Sequence, residues 1–269
     1  MKKGISYWAY SGKTYREAFE YAKKCGFDGV EVTLDAEGEI TLQTSDEQIL
    51  EIRKQAEDSG IELYSVASSL YWDFPMSAND AQTRAKSEEI ARRQIDIAAL
   101  LGCDAVLVVP GLVNSETAYD TVYDRALCAM RKLAPYAESR GITVGAENVW
   151  NRFLLSPLEF ARFIDEIGSP YVKAYFDVGN VVYDGYPEQW IKILGNRICK
   201  VHIKDYIREN RTLAGFTDIG KGDVDFGRVL SVLEDAGYNG FCTAEVFPEG
   251  DSAFETVDKA AAAFGKIFL

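Results

Sequence analysis

The sequence predicts a single α/β domain, residues 1–269, folded as a (β/α)8 barrel of the TIM type. Three observations lead to this prediction. The chain has 269 residues, close to the roughly 250 residues typical of that fold. Short apolar runs alternate with amphipathic stretches of helical period, and the pair occurs eight times. No Pro-, Gly- or Ser-rich linker divides the chain, so we expect one domain.

The apolar runs are the predicted strands. They are rich in Val, Ile and aromatic residues and lack strict polar alternation, as is typical of parallel strands covered on both faces. The predicted strands are residues 4–8, 29–33, 62–67, 105–109, 143–147, 172–176, 199–203 and 241–246.

The amphipathic stretches between them are the predicted helices. Each of the first four is followed directly by a glycine, which is the usual left-handed C-cap. The predicted helices are residues 14–25, 45–59, 80–101, 118–140, 157–167, 188–194, 226–236 and 253–268.

An open, doubly wound sheet is the alternative architecture for alternating strands and helices. That fold usually carries a glycine-rich phosphate loop after its first strand. Here the first strand runs into Tyr-Trp-Ala-Tyr-Ser-Gly at 7–12, which lacks that glycine pattern. The closed barrel is therefore favoured.

The charge of the chain excludes several classes of partner. Lys and Arg number 29 and Asp and Glu 42, so the formal net charge is −13. Such a surface repels nucleic-acid phosphates and anionic membranes. No apolar stretch reaches the ~18 residues needed to cross a bilayer, and the first residues do not resemble a signal peptide. We therefore expect no nucleic-acid partner and no membrane association.

The cysteines indicate a reducing compartment. The five cysteines are odd in number and widely spaced, and no two form a CxxC pair. They are expected to be reduced, mostly buried thiols and not a disulfide framework. This pattern predicts a cytoplasmic protein.

Each of the last four predicted strands carries a potential metal ligand at its end: Glu147, Asp177, His202 and Glu245. In a barrel the active site lies at the carboxyl ends of the strands. Taken alone, a strand histidine is more often a hydrogen-bonded core residue, and a strand-end acid more often caps a helix. Four candidates on four consecutive strands favour a metal site, because three carboxylates share a dry pocket only with a cation.

One imidazole and three carboxylates form a hard ligand set. Such a site suits Mn²⁺ or Mg²⁺, and Co²⁺ or Zn²⁺ are possible. His202 is the only histidine in the chain, and a metal-bound imidazole needs a hydrogen-bond acceptor for its other ring nitrogen. The sequence does not identify that acceptor.

Four motifs resemble the xylose-isomerase-like barrel superfamily of sugar phosphate isomerases and epimerases, over nearly the whole chain. They are similar to segments of the L-ribulose-5-phosphate (L-xylulose-5-phosphate) 3-epimerases, with the D-tagatose 3-epimerases near by. The motifs are Asp-Val-Gly-Asn at 177–180, His-Ile-Lys-Asp at 202–205, Gly-Lys-Gly-Asp-Val-Asp-Phe at 220–226 and Phe-Pro-Met-Ser at 74–77.

The resemblance implies a metal-dependent epimerase or isomerase of a ketose or ketose phosphate. In these families strands five to eight supply Glu, Asp, His and Glu to one metal, which corresponds to Glu147, Asp177, His202 and Glu245. The metal would stabilise an enediolate, and Glu147 and Glu245 would be the catalytic pair that moves the proton. A homo-oligomer, dimer or tetramer, is also implied.

Substrate contacts are expected at several further positions. Arg208 matches an arginine six residues after the metal histidine in the tagatose-type enzymes. Asn180 stands where those enzymes have a substrate-binding histidine, and Leu154 replaces the acid that ends their Asn-Arg-Phe motif. Trp8 and Trp72 follow the first and third strands, where aromatic rings can stack on a sugar.

Two other side chains have two possible roles each. Lys221 lies in the segment 206–225, which has no clear periodicity; its cations and glycines would either bind a phosphate or lie at the surface. Glu31, at the end of the second strand, would bind a hydroxyl or, more commonly, form a salt bridge. Trp150 and Trp190 are expected to be structural.

Several other functions use a similar barrel. An inosose-type dehydratase expels water after proton abstraction, and a hydroxypyruvate-type isomerase is a further alternative. A non-catalytic sugar-binding barrel is disfavoured because all four ligand positions are present. The DNA-repair endonucleases of the superfamily need a histidine-rich multi-zinc cluster, which one histidine cannot supply.

Overall fold

Eight parallel strands close into a barrel in the computed structural model, which describes residues 1–248 and 252–268. The strands in chain order are β1 (Lys2–Ser6), β2 (Gly29–Thr33), β3 (Glu62–Ala67), β4 (Ala105–Val108), β5 (Thr143–Glu147), β6 (Val172–Asp177), β7 (Ile198–Ile203), β8 (Asp205–Tyr206), β9 (Phe216–Thr217) and β10 (Phe241–Ala244). Strands β1 to β7 follow one another around the barrel, and β10 closes it between β7 and β1. Strands β8 and β9 form a separate antiparallel pair.

A helix follows each barrel strand and lies outside the sheet. The helices are α1 (Tyr15–Lys24), α2 (Asp46–Ser59), α3 (Ala81–Leu101), α4 (Tyr119–Arg140), α5 (Pro157–Ile167), α6 (Pro187–Leu194), α7 (Phe226–Asp235) and α8 (Ala253–Ile267). Each predicted helix is present, with ends that differ by at most one residue from the prediction. The predicted (β/α)8 architecture is confirmed.

Local sequence signals explain these helix ends. Thr14 begins α1 with a capping box, in which its side chain accepts the N–H of Glu17 and the Glu17 carboxylate accepts the N–H of Thr14. Ser45 and Gln48 form the same box at α2. Gly60 ends α2 in the left-handed conformation, with φ of 67°, which glycine adopts without a steric penalty.

Two barrel strands end two residues earlier than predicted. Strand β1 stops at Ser6 because Tyr7–Tyr10 forms a 3-10 turn, with Ala9 and Tyr10 buried in the core. Strand β10 stops at Ala244, so that Glu245 follows the strand directly. Both changes lie at the carboxyl end of the barrel, where the backbone leaves the sheet.

Tyr64 fills one layer of the barrel interior. Its ring stacks on Phe241 with centroids 3.7 Å apart, and its hydroxyl lies 2.8 Å from Oγ1 of Thr243. A Cβ atom on Gly4 would lie 2.2 Å from the Tyr64 hydroxyl oxygen, and one on Gly29 would lie 2.8 Å from the Tyr64 ring. Glycine at both positions therefore makes room for this ring.

The five cysteines can be compared with the prediction of reduced, mostly buried thiols. All five cysteines are free; Cys103 and Cys242 are buried, Cys25 and Cys199 are half-buried, and Cys128 is exposed. Burial of the thiols is thus less complete than expected.

Within residues 1–248 and 252–268, no helix is both long enough and apolar enough to cross a membrane.

Candidate metal centre and active site

Four side chains from four neighbouring strands meet at the carboxyl end of the barrel. Glu147 and Asp177 are the last residues of β5 and β6, His202 lies one residue before the end of β7, and Glu245 follows β10. One ligand atom from each residue lies within 4.8 Å of the others, and all four residues are buried. The structure therefore brings the whole predicted ligand set together.

The donor atoms of this cluster fit a metal ion. Nδ1 of His202 lies 2.5 Å from Oε2 of Glu245. It lies 3.4 Å from Oε1 of Glu147 and 3.8 Å from Oδ2 of Asp177. Although these atoms are close, His202 Nδ1, Asp177 Oδ2 and Glu245 Oε2 are buried and make no hydrogen bond of acceptable geometry. Buried ligand atoms that converge without hydrogen-bonding one another are suited to a hard divalent cation.

The two glutamates of the cluster have pKa values displaced in opposite directions. Burial raises the pKa of Glu147 to about 7, although the neighbouring His202 opposes the shift. Burial also acts to raise the pKa of Glu245, but Lys204 and His202 outweigh it and hold that pKa at about 2. In the metal-free protein one carboxyl group can hold a proton near neutral pH while the other is ionised, which is the property of an acid–base pair.

Lys204 joins the cluster, although the sequence analysis gave it no role. Its Nζ lies 2.9 Å from Oε2 of Glu245 and 3.2 Å from Oδ2 of Asp177, and its side chain is 14% exposed. Burial acts to lower the pKa of Lys204, but Asp177 and Glu245 raise it overall, so the ammonium is charged. Strand periodicity could have found this residue, because residues two apart point to the same side and Lys204 is two residues after His202.

A cavity of about 880 Å³ opens at the cluster. Glu147, Glu245 and Lys204 form part of its wall, and the predicted Trp8 and Trp72 also line it. Trp72 is 45% exposed, so it lies where the cavity meets solvent. The cavity thus combines charged groups beside the ligand set with aromatic side chains farther out.

Asn180 lines the cavity and also contacts Asp177 of the predicted ligand set. Its backbone N–H donates to Oδ1 of Asp177 at 2.7 Å, and its side-chain amide donates to the carbonyl of Asn148 at 2.9 Å. The Trp150 indole donates to the carbonyl of Asn180 at 2.9 Å and also lines the cavity. Trp150 thus holds the backbone of Asn180 and forms part of the cavity wall, whereas Trp190 is buried in the core.

The structure does not bring Arg208 and Lys221 to the cavity. Arg208 lies over the ring of Tyr186, with 4.7 Å from Cζ to the ring centroid, and lines a separate groove with Asp223. Its backbone N–H donates to Oδ2 of Asp223 at 2.8 Å, which fixes the chain direction there. Lys221 is exposed and is not among the described residues that line the cavity.

Asp205 explains this arrangement of the segment 206–225. Its buried carboxylate accepts hydrogen bonds from the backbone N–H groups of Tyr206, Gly220, Gly222 and Val224. The amides of Gly220 and Gly222, one possible phosphate site in the sequence, therefore already donate to the Asp205 carboxylate. The segment is folded around this carboxylate, and its cations are left on the outer surface.

Curated relatives match most of the chain. The L-ribulose-5-phosphate 3-epimerase UlaE of Escherichia coli is 26% identical over 245 residues, which are 89% of this chain and 84% of that protein. UlaE of Shigella flexneri is 26% identical over 255 residues, 92% of this chain and 88% of that protein.

Solved structures and a family model agree on the fold. A D-psicose 3-epimerase in the presence of D-fructose has a TM-score of 0.82 at 22% identity, covering 99% of this chain and 98% of that one. An L-ribulose 3-epimerase has a TM-score of 0.83 at 19% identity, covering 99% and 94%. The family model described as xylose isomerase-like TIM barrel matches residues 19–265. The resemblance found in the sequence is confirmed, and the chain belongs to the xylose isomerase-like TIM-barrel family.

Proposed function

We propose that the protein is a divalent-metal-dependent 3-epimerase of a ketose or ketose phosphate. The observation that carries the proposal is the pair Glu147 and Glu245, two buried carboxyl groups of separated pKa within one ligand cluster at a cavity. Inversion of a carbon centre needs one group that removes a proton and another that returns it. The relatives named as L-ribulose-5-phosphate 3-epimerases support this reaction class.

The cluster would bind a single divalent ion. Glu147, Asp177, His202 and Glu245 are its ligands, and three carboxylates with one imidazole favour Mn²⁺ or Mg²⁺, while Co²⁺ or Zn²⁺ would also fit. When bound, the ion supplies Lewis acidity, which makes a C–H beside the substrate carbonyl more acidic.

The two glutamates move the proton. Glu245 is ionised because Lys204 and His202 lower its pKa, so one of its carboxylate oxygens accepts the proton from the carbon. Glu147, whose pKa burial raises to about 7 in the metal-free protein, is the group that returns a proton to the opposite face. The roles exchange in the reverse direction, as a reversible epimerisation requires.

The cavity walls orient the substrate. Trp8 and Trp72 offer apolar ring faces against which the C–H groups of a sugar can pack. Lys204 and Asn180 lie beside the ligand set and also line the cavity; the Lys204 ammonium can donate to a substrate hydroxyl or carbonyl oxygen. We further propose a cytoplasmic homo-oligomer, dimer or tetramer, in keeping with the free cysteines and with the family resemblance.

Proton–deuterium exchange tests the proposal. Ketoses, pentulose 5-phosphates and inososes are incubated with Mn²⁺-loaded enzyme in D₂O, and the metal is removed with a chelator before NMR spectra are taken. We expect deuterium at one carbon beside the carbonyl, together with the C3 epimer. A dehydrated product would indicate the inosose-type lyase, and exchange on hydroxypyruvate alone would indicate that isomerase. Tight metal binding without exchange on any substrate would overturn the enzymatic proposal.

A further inference from the structure

The imidazole of His202 is held from both sides. Nδ1 faces the ligand cluster, whereas Nε2 lies 3.0 Å from Oε1 of Glu31 on β2. Both side chains are fully buried, with 0% exposure. Glu31 is not one of the ligand residues; it lies on the other side of the ring.

Glu31 is itself held in place by Tyr175. The Tyr175 hydroxyl donates to Oε2 of Glu31 and lies 3.3 Å from Oγ of Ser65. The Tyr175 ring also packs edge-on against His202, with centroids 4.7 Å apart. A Cβ atom on Gly145 would lie 2.9 Å from this ring, so glycine on the neighbouring strand makes room for it. Contacts at both oxygens thus hold the Glu31 carboxylate in one orientation.

This arrangement determines which ring nitrogen carries the proton. An ionised Glu31 carboxylate accepts hydrogen bonds and cannot donate them. Leaving its buried Oε1 without a donor would be costly. A proton on Nε2 satisfies Glu31 and leaves Nδ1 with a lone pair directed at the cluster. A proton on Nδ1 instead would leave Nε2 and Glu31 as two facing acceptors.

We infer that Glu31, oriented by Tyr175, is a positioning residue that fixes the Nε2–H tautomer of His202 and so presents Nδ1 to the metal. The inference rests on the proposed function, since it requires the cluster to bind a metal. Loss of such a partner behind a metal-bound histidine typically weakens metal binding by 10–100-fold. We expect a loss of that size for Glu31→Gln, which has nearly the same shape but no charge.

Since the chain contains a single histidine, its ring can be observed directly. The protein is labelled with ¹⁵N-histidine, loaded with Zn²⁺ as a diamagnetic probe, and studied by NMR. In the wild type we expect one metal-bound nitrogen and one protonated nitrogen, whose proton exchanges slowly because it is buried. In Glu31→Gln the protonated nitrogen and its proton should shift, because the acceptor loses its charge.

Metal affinity provides the second readout, from a competition titration of the metal-free protein with Zn²⁺ and a chelating dye. Tyr175→Phe should weaken binding less than Glu31→Gln, because the carboxylate stays but loses its orientation. Tyr64→Phe is the matched control: it removes another buried barrel hydroxyl, which pairs with Thr243 and not with Glu31, and its affinity should equal that of the wild type.

The outcomes separate the two claims. An affinity of Glu31→Gln within twofold of the wild type, with unchanged ring signals, would overturn the inference alone. Equal losses in Tyr175→Phe and Tyr64→Phe would also overturn it, because the effect would then be general damage to the core. A wild-type protein that binds no Zn²⁺ would overturn the metal site itself, and the proposed function with it.

Discussion

The ligand cluster and the segment 206–225 lie at the same end of the barrel, yet they relate to the sequence very differently. Glu147 and Asp177 end their strands, and barrel geometry alone directs such residues to a common centre. The segment 206–225 carries Arg208 and Lys221, which lie outside the cavity because the backbone wraps around Asp205. A residue on a strand end inherits its direction from the sheet, whereas a loop residue takes its direction from contacts made along the loop.

The largest expected effect comes from replacing a glutamate of the ligand cluster, and replacing a glutamate of the segment 206–225 is the matched control. Glu245→Gln removes a proton-transfer group and a metal ligand, and general acid–base catalysis is worth roughly 10²–10⁴-fold, so we expect at least about a 1000-fold loss of kcat/KM. Glu209→Gln makes the same chemical change on the exposed part of the loop and should stay within twofold. Steady-state epimerisation of the substrate identified by exchange measures both. Similar losses in the two variants would erase the distinction between strand and loop.

Asp205→Asn tests whether one carboxylate organises the loop. The variant loses the charge that four backbone N–H groups share, and we expect unfolding free energy to fall by about 3 kcal/mol, since hydrogen bonds to charged groups contribute roughly 1.5–3 kcal/mol each. Hydrogen exchange should accelerate at the amides of Gly220 and Gly222. Asp223→Asn is the control and should lose less, because the Asp223 carboxylate accepts one backbone N–H, that of Arg208, among the described residues. Unchanged protection in Asp205→Asn would show that the loop folds without this carboxylate.

Stability without metal should depend on pH in the opposite sense to ordinary acid denaturation. Burial raises the pKa of Glu147 to about 7, so the folded state binds this proton more tightly than the unfolded state does. The resulting stabilisation is fully present below about pH 4.5 and is lost as the pH rises to about 7. His202 acts in the same direction, because its pKa, which burial tends to lower, is raised by Glu31 and Glu245; its contribution is present below pH 6.5 and declines above it. We therefore expect the Tm of metal-free protein to fall as pH rises from 5 to 8.

The magnitude of this fall should be several degrees, because each kcal/mol moves Tm by about 2–4 °C in a chain of this size. Calorimetry across the pH range measures it. Glu147→Gln should flatten the dependence below pH 7, and saturating Mn²⁺ should remove it. A Tm of the metal-free wild type that rises over the same range would contradict the assigned protonation states.

Apart from the Glu209→Gln control, the smallest effect is expected from Arg208→Ala and Lys221→Ala. Since neither side chain lines the cavity, kcat/KM for either variant should stay within threefold of the wild type. The pair should be assayed with both a free ketose and a ketose 5-phosphate. A tenfold loss confined to the phosphate substrate would mean that these cations reach the phosphate when substrate binds, as the family resemblance implied for Arg208.

Residues far apart in the sequence illustrate what pattern analysis misses. Glu31 and His202 are separated by 171 positions, and nothing around Glu31 distinguishes a partner of the metal histidine from an ordinary salt-bridged acid. Lys204 was within reach of the sequence, because strand alternation places it on the same side as His202. Its contact with Asp177 and Glu245 required the assembled barrel.

By itself, the sequence determined the barrel and the four residues of the candidate metal site, because strand and helix periods are local properties and parallel strands end at one face. The family resemblance followed from the motifs around those same residues. Only the tertiary structure decided that Glu31 contacts His202, that Asp205 accepts the glycine amides and that Arg208 lies outside the cavity. Those outcomes depend on contacts between distant segments, which local periodicity does not encode.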